Sequence, residues 1–127
     1  MSFNEWGERG SIDFMGAHEA MSAVVIGEAK SAWGSLEETL RSVDIKARLA
    51  PVICEKRYGW RPVSVAVVLA FPEDATARRT AARYAATLLS AFPARNREIA
   101  RWLLEPRGPL RGLWFLSDER SRVPSTV

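Results

Sequence analysis

GSIDFMGAHEAMSAVVIGEAK, residues Gly10 to Lys30, is the stretch on which the reading of this chain turns. Gly10 to Ala17 reads as a strand, His18 to Ser22 as a turn, and Ala23 to Ala29 as a second strand, because short apolar, β-rich runs flank a polar break. A hairpin that turns between Ala20 and Met21 leaves Asp13 and Glu28 equally far from the turn, and so directly opposite each other. Opposed residues of an antiparallel pair project to the same face, and alternation adds Lys30, Met15, Ile26, Ala17 and Val24 to it. Ile12, Phe14, Val25 and Ala29 take the other face. Only one face turns ionic at its end, and a slip of one residue would carry Asp13 to the wrong side.

Two carboxylates about 4 Å apart repel by roughly 4 kcal/mol at an intermediate effective dielectric, so a fold that brings them together must compensate. Lys30 supplies part of that compensation, and a divalent cation would supply more. Mg²⁺ is hard, prefers oxygen, and commonly takes one or two carboxylates with waters and substrate phosphates. An acid on one strand and an acid-x-Lys triplet on the next therefore suit phosphodiester hydrolysis, with Mg²⁺ (or Mn²⁺) and an ammonium group acting on the same phosphate. The plainer alternative is an exposed hairpin end where Lys30 only neutralises Asp13 and Glu28.

Around this hairpin the chain has ordinary globular composition: 127 residues, 47% apolar and 26% charged. That length makes one domain, taken as residues 1–117, with a polar and disordered tail over 118–127. No apolar run approaches the ~20 residues of a membrane span, and the N-terminus lacks the regions of a signal peptide, so no membrane partner and a cytoplasmic location are expected. Cys54 is the single cysteine, which excludes an intramolecular disulfide and a cysteine-based zinc site and suits a small core residue. The basic excess, 18 Lys+Arg against 15 Asp+Glu, is too small to identify nucleic acid by itself. Arg78, Arg79 and Arg83, and Arg95, Arg97 and Arg101, fall on expected helices and read as solvated faces.

Outward from the hairpin, Phe3 to Gly7 is a weak first strand. Ser35-Leu36-Glu37-Glu38 is a capping box opening a helix to Tyr58, with a kink or restart expected at Pro51. Val63 to Phe71 suits a strand buried on both faces. A helix follows over 75–91, then a short helix capped by Asn96, then a strand at Gly112 to Leu116. The order β-β-β-α-β-α-α-β predicts an α/β fold with a mixed β-sheet flanked by helices.

Gly10-Ser11-Ile12-Asp13 with Glu28-Ala29-Lys30 resembles the PD-(D/E)XK, or restriction-endonuclease-like, superfamily over roughly Gly7 to Phe71. Ile12 stands where the motif's name has proline. The resemblance implies a Mg²⁺-dependent nuclease acting on DNA, with Asp13 and Glu28 as metal ligands and Lys30 as the catalytic lysine. A narrower likeness, through Gly7-Glu8-Arg9-Gly10-Ser11-Ile12-Asp13, Arg48-Leu49-Ala50-Pro51 and Gly108 to Phe115, is to the C-terminal region of actinobacterial helix-turn-helix DNA-binding proteins. It implies two rivals to the nuclease: a non-catalytic DNA-binding or transcription-regulator-associated domain, and a truncated inactive remnant. The helix that usually precedes the first strand, and often carries another acid, is missing; Glu8, or else Glu5, is the substitute metal ligand. Its loss is expected to bare Phe3, Phe14 or Val25, giving a homodimer or a poorly soluble chain. His18 reads as an exposed turn residue, and Trp33, just past Lys30, is the aromatic residue placed to stack on a base.

Overall fold

The computed structural model describes the backbone of residues 2–8, 11–30, 35–72 and 74–116, with side chains from Asp13 onward. Strands β1 (Ser2–Glu8), β2 (Ser11–His18) and β3 (Ala23–Lys30) form an antiparallel meander. Helix α1 (Leu36–Tyr58) then returns the chain to β4 (Ser64–Pro72), parallel to β3. Helices α2 (Ala75–Arg83), α3 (Ala85–Ala91) and α4 (Asn96–Leu104) precede β5 (Leu110–Leu116), parallel to β4. The fold is α/β, with one five-stranded mixed sheet in the order β1-β2-β3-β4-β5.

The turn between β2 and β3 is a single 3₁₀ turn over Glu19–Met21. His18 caps it, its Nδ1 accepting from the Met21 amide at 3.2 Å. Alternating side chains of β3 and β4 feed two cores. Met15, Val24, Ile26, Val67, Leu69 and Phe71 pack against Val43, Ala50 and Cys54 of α1, with Ala77 of α2 and Leu88 of α3. Ala23, Val25, Ala66 and Val68 pack against Ile99 and Trp102 of α4, flanked by Phe14 and Met21. Helices therefore cover both faces. Val25, expected to be bared, is 3% exposed, and Phe14 is half-buried. The helix α4 and the neighbouring ring of Phe14 supply the cover that a preceding helix was expected to give. Phe3 and Trp33 lie outside the described side chains, as does the tail 118–127.

Three local expectations differ from the structure. Helix α1 continues through Pro51 without a restart, one of the two outcomes expected there: Ser35 accepts from the Glu38 amide at its start, and Gly59, at φ 85°, ends it. Tertiary packing of Ala50 and Cys54 on either side of Pro51 outweighs the one backbone hydrogen bond that proline forgoes. The helix expected over 75–91 is divided at Tyr84 into α2 and α3. Asn96 is the first residue of α4 rather than its cap. Its side chain donates to the Phe115 carbonyl at 3.0 Å and accepts from the Phe115 amide at 3.1 Å. With Ala94, which accepts from the Leu113 amide and donates to the Arg111 carbonyl, it satisfies the open edge of β5. Tight packing explains Gly112, where a Cβ would stand 2.6 Å from Ile99 Cδ1 of α4.

Candidate metal centre

Asp13 pairs with Glu28 across β2 and β3, and Ser11 with Lys30. Because β3 is the first parallel strand, Glu28 and Lys30 stand at its carboxyl end, the side of an open α/β sheet where ligands usually bind. Burial falls off just there: β3 is buried from Ala23 to Glu28, and Ala29 and Lys30 are partly exposed. Glu28 itself is 2% exposed, a carboxylate set into the end of a hydrophobic strand.

Helix α1 meets this carboxylate with two polar side chains. Ser42 Oγ donates to Glu28 Oε2 at 2.5 Å, and Lys46 Nζ donates to the same oxygen at 2.9 Å. Lys46 Nζ also donates to Ser42 Oγ at 2.7 Å and lies 3.3 Å from Asp13 Oδ1. One ammonium thus touches both carboxylates. Lys30 Nζ stands 3.7 Å from Glu28 Oε1. That distance is an ion pair and not a hydrogen bond, and Glu28 Oε1 is buried without a hydrogen-bond partner among the described residues.

Burial pushes the Glu28 carboxyl up, but hydrogen bonds from Ser42 and Lys46, with the charges of Lys46 and Lys30, outweigh it and hold the group below its ordinary value. Glu28 is therefore ionised at neutral pH despite its burial. Two acids and two ammonium groups balance in charge, which is how the sheet end tolerates them. No family model, curated protein or solved structure matches the chain.

Asp13, Glu28 and Lys30 are brought together on one face. Glu8 ends β1 opposite Ser11, and Glu5 pairs with Phe14; the side chains of both lie outside the described residues. Among the described residues, no group of three or more His, Cys, Asp and Glu side chains is placed to hold a metal ion. Cys54 is buried in the α1 core, where burial pushes its thiol up, away from a reactive thiolate. Arg78 and Arg83 lie over the rings of Phe115 and Tyr84, and Arg95 turns back onto the carbonyls of Phe92 and Ala94. Among the described residues no helix is long and apolar enough to cross a membrane.

Ser42 and Lys46 are the site residues that the hairpin alone does not reveal. Their signal lies in α1. Thr39, Val43, Ala50 and Cys54 form its buried stripe, and Lys46 falls in that stripe at helical spacing, where an apolar residue is the rule. A lysine in that place needs buried acids to meet it, and the preceding strand pair provides two.

Proposed function

We propose that this chain is a Mg²⁺- or Mn²⁺-dependent phosphodiesterase domain of the restriction-endonuclease-like type, with DNA as its substrate. The observation that carries the reading is Glu28 Oε1, a buried carboxylate oxygen that has no hydrogen-bond partner among the described residues, on the strand position facing Asp13. An oxygen of this kind is costly unless something completes its coordination. The residues fit a hard divalent cation: two carboxylates suffice for Mg²⁺ when waters and substrate phosphates fill the remaining positions.

Asp13 and Glu28 would hold the metal, which when bound supplies positive charge against the negative charge developing on a phosphate. Lys30, on the same face and 22% exposed, is placed to approach a substrate at the strand end and stabilise charge there. The β2–β3 ladder and the apolar core beneath hold the strand positions of the two acids in register.

The contact of Lys46 with both acids favours a second reading: a non-catalytic DNA-binding or regulatory domain on the same scaffold, its cluster closed by an internal ammonium. Incubation with plasmid and branched DNA in Mn²⁺ separates the two. The nuclease reading expects metal-dependent cleavage by the wild type, lost in both Glu28→Gln and Lys30→Ala. DNA binding without cleavage under any metal condition would favour the regulatory domain, and cleavage surviving in both variants would assign it to a contaminant.

A further inference from the structure

We infer that Lys46 is a tethered competitor of the metal: its ammonium holds the Asp13–Glu28 pair together in the metal-free domain and must leave before a divalent cation engages both acids. This inference rests on the metal-centre reading and adds to it a means by which the chain controls its own occupancy. Lys46 Nζ lies 2.9 Å from Glu28 Oε2 and 3.3 Å from Asp13 Oδ1, so it spans the two groups that would be ligands. A dication chelated by both acids would stand beside this ammonium, and two cations so close repel. Both cannot be held at full strength.

The geometry also provides for departure. The Lys46 side chain is 18% exposed rather than sealed in the core, and its four-carbon stem is flexible. Ser42 provides for the state left behind. Its hydroxyl donates to Glu28 Oε2 and accepts from Lys46, so the Glu28 carboxylate keeps one hydrogen bond when Lys46 swings away. Lys30 remains near Oε1. A purely structural lysine would instead stay on the acids whatever the metal concentration.

Two consequences separate these roles. Removing the ammonium should weaken the metal-free fold and, at the same time, strengthen metal binding. The expected gain in Mn²⁺ affinity is about tenfold, within the range usual for two binding events coupled at one protein.

The test titrates Mn²⁺ alone into the full chain by calorimetry and follows melting temperature in parallel, for wild type, Lys46→Met and each combined with Asp13→Asn. The expected result is a lower melting temperature for Lys46→Met without metal. Its Mn²⁺ Kd should be about tenfold tighter and its Mn²⁺-induced stabilisation larger, with both effects abolished by Asp13→Asn. Lys46→Gln, which keeps a donor near Glu28 without the charge, carries the same comparison if Lys46→Met does not fold. Equal Mn²⁺ affinity in wild type and both Lys46 variants, lost with Asp13→Asn, would overturn the competition and leave the metal centre standing. Absence of Mn²⁺ binding in every variant, or binding indifferent to Asp13→Asn, would overturn both.

Discussion

Replacing Lys46 alone should destabilise the metal-free domain more than replacing Lys46 and Glu28 together. The single variant Lys46→Met takes from Glu28 its closest ammonium: among the described residues Oε1 has no hydrogen-bond partner, only the Lys30 ion pair, and Oε2 would keep Ser42. Breaking a buried ion pair by deleting one partner costs about 3–5 kcal/mol, whereas exchanging the whole pair for apolar groups of similar volume is often neutral. Lys46 and Asp13 are 18% and 17% exposed, so solvent screens part of the loss, and about 2–4 kcal/mol is the fitting range. A chain of 127 residues has an unfolding entropy near 0.27 kcal/mol per kelvin, so the melting temperature should fall by roughly 7–15 °C. The double variant Glu28→Met, Lys46→Met should recover more than half of that loss, because neither charge is then left in the core. Thermal melting by circular dichroism in EDTA, supported by urea unfolding, completes the double-mutant cycle. A Lys46→Met protein that melts with the wild type, or a double variant that loses the sum of both single losses, would refute the coupling of Lys46 to buried Glu28.

Acid should act through Glu28. Its carboxyl is held below the ordinary 4.5, so its stabilising contribution is complete above that value and is lost as pH falls through its lower folded value. Melting temperature measured from pH 6 to pH 3 should therefore fall less steeply below about pH 4.5 in Glu28→Gln than in wild type; equal slopes would mean that Glu28 is not the group being titrated. Two glycines should differ in their tolerance of alanine. A Cβ at Gly27 would meet the backbone carbonyl of Val68 and the Phe14 ring, whereas at Gly112 its nearest neighbours are side-chain atoms, Ile99 Cδ1 and Cγ1 and Ala94 Cβ, which shift at less cost than backbone. Gly27→Ala should cost about 3 kcal/mol or more and Gly112→Ala about 1–2 kcal/mol, read from urea midpoints, and the reverse ranking would contradict this account of the sheet.

Much of the site was legible because a hairpin is a local object. The spacing of Asp13 and Glu28 about the His18–Ser22 turn is enough to pair them, and the structure has that pairing. The helix start at Ser35, the stop at Gly59 and the buried run of β4 were legible for the same reason: capping geometry and apolar runs are properties of neighbouring residues. At Asn96 and Pro51 the wider packing decided the outcome. Asn96 looks like a cap from its neighbours, but the open edge of β5, 19 residues on, claims both ends of its amide. Pro51 allows a kink or a restart, and the core on either side of it carries the helix through without a restart.

The chain's order of residues determined the α/β class, the strand pair and the face shared by Asp13, Glu28 and Lys30, since each follows from periodicity and turn position over a few tens of residues. Only the tertiary structure decided how those acids are balanced. Lys46 lies 18 residues beyond Glu28, and its meeting with both carboxylates depends on how the crossover helix docks and rotates on the sheet. Side-chain packing across the whole interface between α1 and the sheet sets that angle, and no local pattern specifies it.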